Sequence, residues 1–145
     1  MSLIEEKKVF LNTKLSQIET VKILVKELQP SLEYLTYNIK RYHVPVVMII
    51  FHSLKDIAKE LEQSKRLTDI AKTVKIGDSY FNFVFLPFTE LVESYNFIKH
   101  VEYNKLSNTK NYYHHDMLPP EISNYFNFIN SYLFAIAEKK ETKQL

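Results

Sequence analysis

The sequence predicts a small α/β domain, in which helices pack on a sheet of three or four strands. Residues 46–51, "VVMIIF", form a continuous apolar run rich in β-branched side chains, which is typical of a buried central strand. Gly77 and Asp78 separate two further β-type runs and predict a hairpin turn. The segments around these strands favour helices, and a strand, a crossover helix and a hairpin together indicate a helix-covered sheet.

Composition and charge limit the class of protein. The chain has 145 residues, of which 46% are hydrophobic, so it is large enough for one domain with a real core. It has no cysteine, which excludes a disulfide framework or a thiolate metal site. The net charge of +2 and the scattered basic residues argue against nucleic-acid binding. No apolar run approaches the ~20 residues of a membrane span, and the charged N-terminus lacks the apolar core of a secretory signal. We therefore expect a cytoplasmic protein without membrane contact.

The N-terminal segment predicts one long helix over residues 3–29, which contain neither Gly nor Pro. We accordingly divide the chain into an N-terminal helix, 1–29, and a single α/β domain with a C-terminal helix, 30–145. Five apolar residues of the first helix fill the two seam positions of a heptad pattern: Leu11, Ile18, Val21, Val25 and Leu28. The pattern fits a dimerising helix, and hence a homodimer or a protein partner. It fits equally well a helix that lies on its own domain.

Capping residues and prolines predict the bounds of the second and third helices. Pro30 suits the first turn of a second helix, which should end before Pro45. After the strand 46–51, Ser53 is predicted to cap a third helix, with Asp56 three residues later as a weak capping box.

The second half of the chain predicts two more helices. Thr89 is expected to cap a helix that follows the hairpin, and residues 103–118 to form a polar, irregular loop. Pro119 and Pro120 open the last helix. Aromatic residues surround that helix instead of forming one stripe: Tyr125, Phe126, Phe128, Tyr132 and Phe134. This distribution indicates either a second contact surface or a helix buried deep in its own domain.

Three segments carry a resemblance to a known family. "NIKRYHVPVVMIIF" (38–51) places an Arg-Tyr pair before a proline and an apolar strand, and "FVFLPFTELVESYNFI" (83–98) ends a strand in Leu-Pro-x-Thr before a helix. Between them, "RLTDI" (66–70) is similar to an Arg-x-x-Asp segment that enters a hairpin. Over about residues 35–101 the chain thus resembles the GGDEF domain of diguanylate cyclases. The resemblance implies a nucleotide-cyclase-like fold and a role in bacterial signalling.

The chain departs from that family where the cyclases bind metal and nucleotide. In active members the first strand ends in an aspartate that binds Mg²⁺, and this place falls at His52 or a near neighbour, where there is no carboxylate. The family's guanine- and ribose-binding segment is also too long to fit in full between Phe51 and Arg66.

The signature turn is changed as well. In place of Gly-Gly-Asp-Glu-Phe the chain has "KIGDSYFN" (75–82). If Gly77-Asp78 is set on Gly-Asp, Ser79 replaces the glutamate; counted back from the Leu-Pro pair, Tyr80 and Phe81 replace the acidic pair. Two Mg²⁺ ions and a triphosphate need carboxylate oxygens at fixed geometry. The departures therefore predict a degenerate domain without a bound metal or cofactor.

A second group of polar residues lies in "NYYHHD" (111–116). His114, His115 and Asp116 are residue types that ligate metals, but adjacent histidines usually point apart, and the common helical pair is four residues apart. We favour a surface loop or an aromatic contact with a partner.

The sequence thus predicts a non-catalytic signalling or oligomerisation module. His52 and Asp78 are its candidate ligand-binding residues, although His52 also suits simple packing and Asp78 simple stabilisation of the turn. One alternative is an enzyme of unrelated chemistry at the strand end near His52 and the hairpin mouth. Another is a purely structural partner protein.

Overall fold

A computed structural model describes residues 11–101 and 112–144, which form four helices and one four-stranded antiparallel sheet. The helices are α1 (Gln17–Tyr42), α2 (Ala58–Ser64), α3 (Leu91–Val101) and α4 (Tyr125–Gln144). The strands are β1 (Val46–Ser53), β2 (Ile70–Ile76), β3 (Ser79–Pro87) and β4 (Tyr112–Met117). The predicted α/β class and sheet size are confirmed.

Strand β1 lies inside the sheet, whose order is β2-β3-β1-β4. It pairs antiparallel with β3, from Val46 opposite Pro87 to Ser53 opposite Tyr80, and with β4 on its other side. All of its residues are buried. Both faces of β1 are covered, and this explains why its apolar residues form a continuous run and do not alternate with polar ones.

Strands β2 and β3 form the predicted hairpin. Ile76 pairs with Ser79, so Gly77 and Asp78 make a two-residue turn. Gly77 has a φ of 60°, a left-handed conformation in which a residue without a Cβ is favoured.

Helices cover both faces of the sheet and create two cores. Because successive side chains of a strand point to opposite faces, alternate residues of β1 enter different cores. Helices α1 and α4 cover one face of the sheet and enclose the first core. This core contains Leu24, Leu28, Leu32, Met48, Ile50, Phe81, Phe83, Phe85, Ile129 and Leu133. Helices α2 and α3 cover the other face and enclose the second core. This core contains Val47, Ile49, Phe51, Ile57, Leu61, Val84, Leu86, Ile98 and Val101.

Helix α1 differs from the prediction at both ends. Residues 3–10 of the predicted helix lie outside the described residues, and residues 11–15 form turns and bends. The helix starts after Ser16, whose hydroxyl accepts from the Glu19 N–H at 3.2 Å while the Glu19 carboxylate accepts from the Ser16 N–H at 3.1 Å. This capping box satisfies two N–H groups that a helix start otherwise leaves without partners.

The predicted helix break at Pro30 is wrong, since α1 continues through it to Tyr42. Pro30 is exposed, and so is Lys26, whose carbonyl group loses its usual helical donor. Water can satisfy that carbonyl, while packing of the buried face of α1 holds the helix together. The division of the chain into 1–29 and 30–145 stays a prediction, with its boundary inside a helix.

The predicted cap of the third helix is also wrong. Strand β1 continues through Ser53, which is buried and donates its hydroxyl hydrogen to the Lys55 carbonyl oxygen at 2.7 Å. Helix α2 begins only at Ala58, whose N–H donates to the Asp56 carboxylate at 3.0 Å.

Thr89 does not cap α3, which begins at Leu91. Its hydroxyl group donates to the Pro87 carbonyl oxygen at 3.1 Å, whereas the Glu93 carboxylate accepts from the N–H of Glu90, the residue before the helix, at 2.8 Å.

Two further corrections concern the predicted loop and the last helix. Of residues 103–118, those up to 111 lie outside the described residues, and 112–117 form the edge strand β4. The polar composition of residues 112–117 did not predict a strand. Helix α4 begins at Tyr125 instead of Pro119, because the Asn124 side chain accepts from the Asn127 N–H at 2.9 Å and so caps it.

Candidate functional site

His52 lies near the end of β1 but does not face a cleft. It is 2% exposed, and its ring centroid is 5.3 Å from that of Phe81. Its Nε2 atom is 2.8 Å from the Ser79 hydroxyl oxygen, and that hydroxyl donates its single proton to the Leu11 carbonyl oxygen. Nε2 of His52 must therefore be the donor to Ser79. His52 joins β1, β3 and residue 11 in one buried hydrogen-bonded chain.

The hairpin turn is covered by residues 11–13 of the same chain. The Asp78 N–H donates to the Asn12 carbonyl oxygen at 2.9 Å, while the Asp78 side chain remains exposed. A Cβ at Gly77 would lie 2.8 Å from the Asn12 carbonyl oxygen, so the two backbones are in close contact. The structure thus brings the two predicted ligand-binding residues to one end of the sheet, beneath or beside this covering segment.

A polar network that the sequence interpretation missed occupies the same region. The Thr73 hydroxyl donates to the Asn82 side-chain oxygen at 2.7 Å, and the Asn82 amide donates to the Ser53 hydroxyl at 3.2 Å and the Phe51 carbonyl oxygen at 3.2 Å. An asparagine between Phe81 and Phe83 in a buried strand was the available signal, because a buried amide requires partners. These polar side chains of the sheet thus bond one another.

The second polar site is the loop that enters β2. The Asp69 side chain is 1% exposed, and its carboxylate accepts from the Arg66 Nη2 at 2.7 Å, the Arg66 Nε at 3.1 Å and the Arg66 backbone N–H at 2.8 Å. Nη2 also donates to the Pro87 carbonyl oxygen at 2.8 Å and the Thr89 hydroxyl at 3.0 Å. The guanidinium group therefore ties the loop before β2 to the end of β3.

Arg66 is nevertheless accessible, since its side chain is 53% exposed. The hydrogen bond to Asp69 raises the pKa of Arg66 above its usual value, so the group is a fixed positive charge. Next to it in sequence, Leu67 is fully exposed. Phe88, between the two residues that Nη2 binds, is 68% exposed. The sequence indicated Arg66 and Asp69 only through the family resemblance, and it did not indicate Phe88.

Residues 112–116 of the "NYYHHD" segment lie in β4, and successive side chains point to opposite faces of the sheet. The His114 ring is 4.9 Å from that of Tyr132 on α4, whereas His115 Nδ1 is 2.7 Å from the Ser94 hydroxyl on α3. Burial, and then the charge of Lys139, lower the pKa of both histidines. The predicted surface loop is wrong at residues 112–117. Within the described ranges, no three His, Cys, Asp or Glu side chains are grouped as metal ligands.

The predicted interface residues are divided between the core and the surface. Leu11, Val21 and Leu28 are buried in the first core of the chain itself, and Val25 packs against it. Ile18 is 58% exposed. This placement favours the alternative of a helix that lies on its own domain. Among the aromatic residues of α4, Tyr132 is buried, Tyr125, Phe126 and Phe128 are partly buried against the core, and Phe134 is 57% exposed.

None of the helices in the part of the chain that the structure describes combines the length and apolar composition needed to cross a bilayer.

Comparison with solved structures finds PelD from Pseudomonas aeruginosa. A PelD fragment from strain PA14 in its apo form has a TM-score of 0.52 and 16% identity, over 72% of this chain and 45% of that one. The same values describe that fragment in complex with c-di-GMP. A PelD fragment from strain PAO1 has a TM-score of 0.54 and 14% identity, over 73% of this chain and 43% of that one. The chain thus spans less than half the length of these structures.

The likeness to PelD concerns the fold, and it confirms the predicted GGDEF-like architecture. No protein-family model matches the chain, and no curated protein matches it.

Proposed function

We propose that this chain is a non-catalytic, GGDEF-like signalling domain that binds a ligand without converting it. The observation that supports this function is the position of residues 11–13 on the hairpin turn. Active members of the family that the chain resembles hold Mg²⁺ and a triphosphate between this turn and the end of the first strand. Here the chain's own backbone occupies the approach to the turn.

The local chemistry supports the same proposal. At the strand end His52 is buried and donates a hydrogen bond, whereas a hard cation would require carboxylate oxygens. Admission of a triphosphate would break the bond from the Asp78 N–H to Asn12 and the bond from Ser79 to Leu11. The alternative of an enzyme that uses His52 meets the same obstacle, because the imidazole is enclosed.

For the ligand, we take the class found in the PelD complex, a cyclic guanine dinucleotide, and place it at Arg66. The guanidinium group is half exposed, always charged and oriented by Asp69. Nε and Nη2 already donate within the chain, so Nη1 is the atom that would donate to a phosphate oxygen or to the guanine O6 or N7 acceptor. The site lies at the opposite end of β3 from the covered turn, so binding there leaves residues 11–13 in place.

Calorimetric titration of the whole chain with c-di-GMP tests the binding site. We expect saturable binding that Arg66→Ala weakens by about tenfold or more, because it removes a charge-assisted contact from Nη1. Arg41→Ala is the matched control, since Arg41 is also exposed and lies 5.8 Å from the centre of the Tyr42 ring on α1. Absence of binding, or equal loss in both variants, would refute the site.

Incubation with GTP and Mg²⁺ tests the catalytic part of the proposal. We expect neither pyrophosphate release nor a cyclic product, whereas turnover proportional to protein concentration would refute it. Wild-type protein unfolded by heat gives the background.

Self-association is a second candidate function, and the exposed residues at the contact of α1 with α4 support it. The Gln17 amide donates to the Asn130 side-chain oxygen at 2.7 Å. Ile18, beside Gln17, and Phe134, one helical turn after Asn130, are both more than half exposed. We propose this apolar pair as the homodimer contact in place of the buried heptad residues. Light scattering at several concentrations tests it, and a monomer throughout would refute it.

A further inference from the structure

We propose that Phe88 is a base-stacking residue, which forms with Arg66 and Leu67 a composite site for a guanine nucleotide. This inference rests on the proposed function and deepens it, because it assigns the aromatic part of the recognition to a residue outside the Arg66–Asp69 pair. Three independent features of Phe88 support the inference: its exposure, its backbone conformation and its position relative to the guanidinium group.

Phe88 is 68% exposed although it follows a strand in which every residue from Phe81 to Leu86 is buried. Its neighbour Thr89 is 7% exposed, so the chain turns back into the protein directly after the phenyl ring. A large apolar side chain that stays mostly exposed gains little free energy from burial on folding. An exposed ring beside a second exposed apolar residue, Leu67, is instead typical of a contact surface.

The backbone of Phe88 is held in the left-handed region, at a φ of 57°. This conformation is an outlier for a bulky residue, and glycine or asparagine would adopt it at lower cost. The surroundings enforce it: the Phe88 N–H donates to the Pro45 carbonyl oxygen at 2.6 Å, and the Thr89 N–H approaches the same oxygen at 3.4 Å. Strain that the neighbouring structure maintains is a feature of binding sites.

Arg66 holds the chain on both sides of Phe88. Its Nη2 atom donates to the Pro87 carbonyl oxygen at 2.8 Å and to the Thr89 hydroxyl at 3.0 Å. The Cα of Phe88 is one residue, ~3.8 Å, from the Cα of each of these partners. The guanidinium group therefore contacts the residues on both sides of the exposed Phe88, on backbone that hydrogen bonds fix.

This combination suits a planar base that carries an anionic group. Aromatic side chains stack on nucleobases, while Arg recognises a phosphate or the acceptor edge of guanine. Leu67 adds a second apolar surface next to Arg66. A ligand that offers only a phosphate would leave the exposed ring without a contact, so the site as a whole fits a nucleotide better than a free anion.

The chain contains no tryptophan, so Phe88→Trp creates a single fluorescent reporter at the proposed site. Guanine quenches a tryptophan on which it stacks. We expect titration with c-di-GMP to quench this fluorescence and to give the Kd measured by calorimetry. Tyr34→Trp is the control, because Tyr34 is 62% exposed on α1, and its fluorescence should not respond.

Phe88→Ala should weaken c-di-GMP binding by about tenfold, which is within the range measured for the loss of one base-stacking contact. Phe88→Gly should do the same while removing the left-handed strain, so its Tm should equal or exceed that of the wild type. Free GMP and inorganic phosphate, compared on the wild type, separate the contributions of base and phosphate. GMP should bind more tightly.

The outcomes distinguish this inference from the proposed function. If the wild type binds no c-di-GMP, both are refuted. If Arg66→Ala loses affinity but Phe88→Ala does not, and Phe88→Trp is not quenched, the inference is refuted and the proposed function stands. If Phe88→Ala instead converts a dimer into a monomer with unchanged affinity, Phe88 is a protein contact and the inference is again refuted.

Discussion

Gly77 packs against Thr13: a Cβ at Gly77 would lie 2.6 Å from the Thr13 carbonyl carbon. The same turn binds the neighbouring residue, since the Asp78 N–H donates to the Asn12 carbonyl oxygen at 2.9 Å. The β2–β3 hairpin and the segment before α1 therefore form one structural unit. A substitution at the turn acts on both parts of it.

Gly77→Ala should destabilise the protein by about 2–4 kcal/mol, because the new methyl group meets backbone atoms at a left-handed position. Urea denaturation followed by circular dichroism measures the change. Asp78→Ala is the matched control: it keeps the backbone N–H, removes an exposed carboxylate and should cost no more than ~0.5 kcal/mol. Equal losses in the two variants would contradict the close packing of Gly77 on Thr13.

Ser79→Ala tests the buried chain of hydrogen bonds at the same end of the sheet. It removes the hydroxyl that accepts from His52 and donates to Leu11, and it should cost about 1–3 kcal/mol. Ser131→Ala is the control, because the Ser131 hydroxyl also bonds a carbonyl group but lies on the exposed side of α4. A Ser79 variant as stable as the Ser131 variant would show that this connection contributes nothing.

Asp69→Asn should weaken both folding and ligand binding. The change keeps the shape of the side chain but removes the charge that accepts three Arg66 donors, and we expect a loss of about 1–2 kcal/mol, reduced by the exposure of the guanidinium group. The c-di-GMP affinity should fall because Arg66 loses its orientation.

Glu62→Gln provides the comparison for Asp69→Asn. The Glu62 carboxylate lies 3.2 Å from the Lys65 amine and is 63% exposed, so its removal should cost less than ~0.5 kcal/mol. An Asp69 variant with unchanged stability and unchanged affinity would contradict the role of the buried carboxylate.

The elements that the sequence predicted well are those in which local pattern and burial agree. Strand β1 is an uninterrupted apolar run in the middle of the sheet, and Gly77 marks the hairpin turn because that turn needs a left-handed residue. The predicted bounds of helix α1 were wrong where two local signals competed. The capping box of Ser16 and Glu19 sets its start, whereas Pro30 lies on an exposed turn that tertiary packing tolerates.

The candidate sites depend on contacts between distant residues, and the sequence pattern did not contain them. His52 was expected at the strand end, but its enclosure follows from Ser79 and from Leu11, both far from it in the sequence. The left-handed conformation of Phe88 follows from the Pro45 carbonyl group. Strand β4 was missed for a related reason: its polar residues form an edge strand only because β1 is available beside them.

The heptad positions of α1 make opposite predictions for two residues. Leu28→Ala should cost about 2–5 kcal/mol, because it leaves a cavity in the core beneath the helix. Ile18→Ala should change stability by no more than ~0.5 kcal/mol, since Ile18 is 58% exposed. Thermal denaturation at low protein concentration measures both. If Ile18→Ala instead lowers Tm only at high protein concentration, the change acts through self-association.

Acidification should destabilise the fold through His114 and His115. Burial, followed by the nearby Lys139, lowers the pKa of both below the ordinary value of 6.5, so the unfolded chain takes up their protons at higher pH than the folded chain does. Stability is therefore fully present above about pH 6.5 and falls as the pH decreases toward the lowered folded values. We expect a lower Tm at about pH 5.5 than at about pH 7.5, above the range in which carboxylates take up protons.

The variant His114→Phe/His115→Asn should flatten this dependence, because neither replacement titrates and Phe keeps a ring against Tyr132. His43→Asn is the control, because it removes one exposed imidazole group. His43 ends α1 at a φ of 57°, which asparagine also adopts, so this variant removes an imidazole group outside β4 without straining the backbone. A wild-type Tm that does not change between the two pH values, or a double variant with the full dependence, would contradict the assignment to the two β4 histidines.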